Sequence, residues 1–245
     1  MSMKDLDAAT QLVHAGRDWD PEWGYVNPPV VRASTVLHKS CEDMMDRVHD
    51  EMACRDGKPC YGSYGGPAHK AFYSAMKTLE GPNAAGAWAF STGLAATTTP
   101  LFAFVRAGCH ALFSDSIYGP TREFAEQILR TMGVDVEFFD PAASPEAIEA
   151  MMRPETTLLM MENPGSHSFE MSDVPGIAAA CRRHGVTSVI DNTWATPLYF
   201  KPLDHGVDMV VHAATKYIAG HSDLLMGVVV CNERVWPAVY RTAVR

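Results

Sequence analysis

The amino-acid sequence predicts an α/β protein built on a mainly parallel, seven-stranded sheet with helices on both faces. Three observations lead there. Seven short apolar runs recur along the chain: "AGAWAFS", "HALFS", "VDVEFF", "TLLMME", "VTSVID", "DMVVHA" and "GVVVCN". Helical stretches such as "GPTREFAEQILRTMG" and "DVPGIAAACRRHG" lie between most of them, and strands that alternate with helices form βαβ units and a parallel sheet. The runs are nearly continuous in apolar character, which is the signature of strands buried on both faces.

Taken in order, residues 1–60 read as an N-terminal arm with one short helix. "DWDPEWGYVNPPVV" is rich in proline, aromatic residues and acids and is expected to be extended, and "KSCEDMMDRVHDEM" supplies the helix. Residues 61–245 read as one large domain, entered through the glycine-rich loop "CYGSYGGPAH". "KAFYSAMKTLEG" then forms an amphipathic helix stopped by Gly81. The final "NERVWPAVYRTAVR" resembles the middle of an amphipathic helix with no cap or glycine stop, so a truncated or naturally short form is expected.

Composition narrows the classes. At 245 residues the chain makes one large domain or two modest ones, and 47% hydrophobic with 20% charged residues is ordinary for a globular protein. A formal net charge of -9 without any lysine/arginine run argues against a nucleic-acid surface. Six scattered cysteines, none in a C-x-x-C pair, fit reduced thiols and a cytoplasmic location. "MSMKDLDAATQLVHAG" lacks the apolar core of a signal peptide. Residues 81–105 carry no charge, but their threonines, glycines and proline interrupt the roughly 20 predominantly apolar residues a membrane span needs. A buried strand and helix is expected there.

Three features fall at strand ends, where open α/β sheets place their ligands. Asp191 follows "TSVI"; an aspartate there binds a sugar hydroxyl, a metal or a protonated ring nitrogen, or caps a turn. Thr215 and Lys216 follow "VDMVVHAA", and the lysine either turns to solvent, pairs with Asp223, or forms a Schiff base. "FSTGLAATT" places Ser91, Thr92 and Gly93 at a helix N-terminus, whose N–H groups suit a phosphate, although small residues there also permit close helix–sheet contact. His205, His212 and His221 with Asp204, Asp208 and Asp223 form a competing metal constellation, without an H-x-x-x-H or H-E-x-x-H spacing. No G-x-S-x-G elbow supports a serine hydrolase. A phosphate for Gly93, a ring nitrogen for Asp191 and an aldehyde for Lys216 together describe pyridoxal 5′-phosphate.

The sequence resembles the Cys/Met-metabolism enzymes that use pyridoxal phosphate, a fold-type-I group. The likeness runs in order through "TQLVHAGR", "YGSYGGPAH", "LEGPNAAGAWAFSTGLAA", "DSIYGP", "MENPGS", "DVPGIAAACRRHG", "DNTWATPLYFKPLDHGVDMVVHAATKYIAGHSD" and "VVVCNERVW", nearly the whole chain. "ENPGS" and Trp194 are most similar to the cystathionine β-lyase branch. The resemblance implies a carbon–sulfur lyase that cleaves cystathionine by β-elimination to homocysteine, pyruvate and ammonia. It implies that Lys216 bonds to the cofactor aldehyde, that Asp191 pairs with its ring nitrogen and that Tyr118 stacks on its ring. Gly93 and Leu94 then offer N–H groups to the phosphate and Thr215 its hydroxyl. Tyr61 reaches the phosphate of a neighbouring subunit, which makes a homodimer or homotetramer with sites at the dimer interface.

Two departures stand out. The family's Y-x-R loop carries an arginine for the partner's phosphate, and here Ser63 takes its place. The small C-terminal domain that brings an arginine for the substrate carboxylate is absent from this chain. Two alternatives follow: a γ-acting relative of the cystathionine γ-synthase or methionine γ-lyase type, and a shortened, non-catalytic cofactor-binding homologue.

Overall fold

A computed structural model describes residues 6–17, 25–55 and 57–244. All seven apolar runs form strands: β1 (Gly86–Phe90), β2 (His110–Ser114), β3 (Asp135–Phe139), β4 (Thr156–Glu162), β5 (Thr187–Asp191), β6 (Met209–His212) and β7 (Gly227–Cys231). They make a single sheet in the order β1-β7-β6-β5-β4-β2-β3. Pairing is parallel from β3 through β2, β4 and β5 to β6, and antiparallel on both sides of β7. It follows that β1 and β6 run the same way, and every strand but β7 ends on one edge of the sheet.

Every residue of β2, β5 and β7 is buried. Successive side chains of a strand point to opposite faces, so both faces of the sheet are covered. Phe113, Leu158, Met160, Ile190, Val210 and Val229 are completely removed from solvent.

The helices follow their local signals. α1 (Ala8–His14) is capped by Asp7, whose carboxylate accepts from the Thr10 N–H at 2.9 Å. This helix lies in a region expected to be irregular. α2 (Cys41–Met52) is capped by Ser40, and α3 (Pro67–Glu80) starts on a proline and stops at Gly81, as expected. Of the predicted extended arm, residues 18–24 lie outside the described residues; from Tyr25 to Lys39 the one strand-like pairing is an antiparallel bridge between Thr35 and Tyr61. The stretch "GPTREFAEQILRTMG" is not one α-helix. It divides into α5 (Gly119–Glu123) and a π-helical segment over Phe124–Leu129. α6 (Pro145–Ala150) and α7 (Val174–His184) complete the crossovers, with Asp173 capping α7 and left-handed Gly185 ending it. α8 (Thr196–Tyr199) is a single turn. α9 (Trp236–Ala243) seats α2: the Trp236 indole donates to Cys54 O at 3.1 Å and the Tyr240 hydroxyl donates to Glu51. Among the described residues no helix is long and apolar enough to cross a membrane.

The uncharged helix after β1 is short. α4 (Gly93–Thr98) passes into a 3₁₀ turn through Ala103. Its seat on the sheet is tight. A Cβ on Gly227, at the start of β7, would lie 2.3 Å from Thr92 O and 2.6 Å from the Ala96 Cβ. Backbone cannot yield there as a flexible side chain would. Gly227→Ala is expected to destabilise the protein by about 1–3 kcal/mol through overpacking. Equilibrium urea unfolding measures this, and a parental midpoint would show that α4 is free to move off the sheet.

Candidate active site

The common edge of the strands opens into a cavity of about 710 Å³. Each wall is the continuation of a strand. β1 runs into Thr92, Gly93 and Leu94, and β2 into the loop carrying Tyr118. β4 ends on Glu162, β5 on Asp191, and β6 passes into Ala213, Thr215 and Lys216. Six of the seven predicted site residues therefore share one cavity: Gly93, Leu94, Tyr118, Asp191, Thr215 and Lys216. Tyr61 is not among its lining residues; it stands half exposed on the arm, bridged to Thr35. A second hollow of about 780 Å³, lined by Arg182, Asp204 and Arg234 among others, lies at the opposite edge of the sheet and holds none of these groups.

Among the described residues Lys216 is the only lysine or arginine lining the cavity, and it makes no ion pair there with Asp223 or any other acid. Its amine is free for a ligand. Asp191 is 9% exposed. Its Oδ1 accepts from the Thr193 N–H at 3.0 Å and the Thr193 hydroxyl at 2.5 Å. Among the described residues Oδ2 has no hydrogen-bond partner. Burial pushes the Asp191 carboxyl up, against those two hydrogen bonds and the neighbouring His212. A cationic N–H at Oδ2 would relieve that burden.

The turn after β1 offers donors. Thr92 Oγ1 accepts from the Ala95 N–H at 3.0 Å, and the Ala96 N–H goes to Thr92 O. The N–H groups of Gly93 and Leu94 have no partner among the described residues, as the first N–H groups of a helix do. Gly93 also has a packing role, because a Cβ there would meet the Ala213 Cβ at 2.6 Å. Both readings of the small residues in "FSTGLAATT" therefore hold together. Thr215 differs from expectation in detail. Its hydroxyl donates to Met226 O at 3.1 Å and accepts from the Met226 N–H at 3.0 Å, so the proton expected to face a phosphate is committed to the chain itself.

Tyr118 is 46% exposed and stacks on no other ring among the described residues. Trp194 lies at the rim with its ring edge-on to Phe169, centroids 5.7 Å apart. Glu162 was given no role by the sequence reading. It sits beside Asp191 in the parallel register. Its Oε1 accepts from the Ser166 hydroxyl and its Oε2 from the Tyr118 N–H, both at 2.6 Å. Burial, and then the Asp191 charge, push its carboxyl up to about 7 against those two bonds. Its signal was present: a carboxylate ending "TLLMME" has the same standing as Asp191 ending "TSVID".

The residues weighed as a metal constellation are dispersed. His212 Nε2 lies 2.5 Å from buried Glu80 Oε1, Asp208 is bound by Arg234, and His205 stacks on Phe200. Among the described residues no group of three or more His, Cys, Asp and Glu is arranged to hold a metal ion.

Comparison with known proteins fits this geometry. A protein of Rhizobium johnstonii, provisionally named a cystathionine beta-lyase, is 46% identical over 96% of this chain and 58% of its own length. The cystathionine beta-lyase MetC of Escherichia coli is 38% identical over 99% of this chain and 60% of its own. The chain thus spans about three fifths of the length of these relatives. Among solved structures, the cystathionine gamma-lyase of Lactobacillus plantarum complexed with L-serine superposes with a TM-score of 0.85 at 29% identity, covering 100% of this chain and 58% of that one. Residues 9–243 match the model of the Cys/Met metabolism PLP-dependent enzymes, and the chain belongs to that family.

Proposed function

We propose that this chain is the cofactor-binding part of a carbon–sulfur lyase that cleaves cystathionine by β-elimination, releasing homocysteine, pyruvate and ammonia. The observation that carries the reading is the convergence of Lys216, Asp191 and the free N–H groups of Gly93 and Leu94 on one cavity. The choice of substrate and bond is supported by the 38% identical cystathionine beta-lyase MetC and by the 46% identical relative that carries the same name provisionally.

Pyridoxal 5′-phosphate is the cofactor of this family, and the residues present fit it. The unpartnered Oδ2 of buried Asp191 suits a protonated ring nitrogen. The unpaired amine of Lys216 suits an aldehyde. Gly93 and Leu94 suit a phosphate, without help from an arginine, since none lines the cavity. The exposed ring of Tyr118 suits the face of a pyridine. When bound, the cofactor supplies an electron sink for the charge that develops at the substrate Cα.

The chain's own residues do the rest. Among the described residues Lys216 Nζ is the only amine lining the cavity; it takes the Cα proton and can return a proton to the departing sulfur. Asp191, held in orientation by both donors of Thr193, keeps a proton on the ring nitrogen by offering it a negative partner. Tyr118, Trp194 and Leu225 give the cavity apolar walls for the cofactor ring and the substrate's carbon chain. Tyr61 stands away from this cavity and exposed, so the same reading assigns it to the cavity of a second copy in a cytoplasmic homodimer or homotetramer. A γ-acting lyase is the second reading, favoured by the likeness to the Lactobacillus plantarum structure. Products separate the two: pyruvate with homocysteine marks β-cleavage, 2-oxobutyrate with cysteine marks γ-cleavage.

Two outcomes test this reading, and a third tests the burial of the carboxyl group beside Asp191. Lys216→Ala is expected to abolish steady-state pyruvate release from cystathionine; retained turnover refutes the role of the amine. Asp191→Asn keeps the shape but removes the charge, and should lower turnover by about 10²-fold or more while circular dichroism shows an intact fold. Parental turnover would remove Asp191 from the mechanism. The third concerns the cofactor-free protein. The Glu162 carboxyl is raised from 4.5 to about 7 by folding, so its contribution is fully present below about pH 4.5 and is lost as pH rises through 7. Relative to Glu162→Gln, the parent should lose up to about 3 kcal/mol of stability across that window. Urea titrations at a series of pH values measure it, and parallel curves for the two proteins would contradict the burial of this charge.

A further inference from the structure

We propose that Glu162 is a positioning residue: its carboxyl group ties the backbone of Tyr118 and the hydroxyl of Ser166 to the end of β4, and so holds the Tyr118 ring over the cavity. The proposal rests on the reading of that cavity as the cofactor site and adds a residue to it.

The placement of Glu162 is unfavourable by itself. It lies in register beside Asp191, both carboxyls face the same cavity, and among the described residues neither is ion-paired to a lysine or arginine. An apolar side chain would continue "TLLMM" at less cost. What an apolar side chain lacks is a pair of polar atoms. Tyr118 lies beyond the end of β2, and its N–H is not used by the backbone ladder; it ends on Glu162 Oε2 at 2.6 Å. Ser166 lies in the loop after β4, and its hydroxyl ends on Oε1 at 2.6 Å. The Ser166 N–H in turn donates to Ser116 O at 2.8 Å, in the Tyr118 loop. Two loops at neighbouring strand ends are thereby joined to each other and to one side chain. Tyr118 N-caps α5 without a side-chain cap; its carbonyl accepts from the Thr121 and Arg122 N–H groups at 2.9 and 3.0 Å, so the helix holds its C-terminal side and Glu162 holds its N–H.

The chemistry of the tie is specific. The Tyr118 N–H requires an acceptor. The Ser166 hydroxyl serves as donor or acceptor. An amide meets both demands, with Oε1 accepting from Tyr118 and Nε2 donating to Ser166. Alanine and methionine meet neither. A role through hydrogen bonding therefore separates glutamine from alanine, whereas a role through charge would group them.

The experiment follows amide hydrogen exchange at Tyr118, resolved to single residues, in the full chain without cofactor. Glu162→Ala is expected to speed exchange at this amide on the order of tenfold, and Glu162→Gln to keep it slow. Glu162→Met retains bulk without an acceptor and should reproduce the fast exchange if the alanine variant does not fold. With pyridoxal phosphate added, the visible circular dichroism band of the bound cofactor should weaken in the alanine or methionine variant and persist in the glutamine variant. Parental exchange in both truncated variants, or fast exchange in Glu162→Gln, overturns the proposal. A parent that takes up no pyridoxal phosphate overturns the cofactor reading instead, and the exchange arm still decides the tie.

Discussion

A sheet buried on both faces leaves its strands almost no place for a polar side chain except at their ends. That constraint organises this molecule. The interiors of β2, β5 and β7 are sealed, so charge collects where the chain leaves the sheet. At one edge it becomes an interlocked network, with Asp208 holding Ser188, Asn232 and Arg234. At the other edge it becomes a cavity, because six strands deliver their ends to the same side and the side chains there have one another or a ligand as partners.

The two edges differ in how complete their partnerships are. Asp208 is saturated by an arginine, an asparagine and a serine. Among the described residues, Asp191 has a threonine on one oxygen and nothing on the other, and Glu162 beside it is satisfied by neutral donors alone. One lysine faces these two acids. The first arrangement is closed and serves stability. The second is left open in the particular way that a ring cation, an aldehyde and an anion would complete.

The strands were legible because double burial writes an uninterrupted apolar run, and all seven runs became strands. Asp191 and Lys216 were legible for the same reason, as charges that end such runs. Glu162 carries an equal signal at the end of "TLLMME", but it lies in the motif "ENPGS", to whose glutamate the resemblance attaches no role. Other features leave no such trace. α1 has no buried residue and stands on its Asp7 cap, so no apolar periodicity announces it. The π-helical segment over Phe124–Leu129 keeps a helical composition and differs only in its hydrogen bonding. The commitment of the Thr215 hydroxyl to Met226 depends on a rotamer, which sequence does not record.

The position of β1 has a consequence for how the molecule comes into being. Among the described residues its only strand neighbour is β7, so Gly86 meets Cys231 across most of the domain's length. On a ribosome, β1 is made well before β7 and waits for its ladder partner until residue 231 has emerged. The turn after β1, which packs against β6 and β7, is thus completed only once the last strand of the sheet has been made, and a nascent chain halted before β7 has an unfinished cavity wall whatever else has folded.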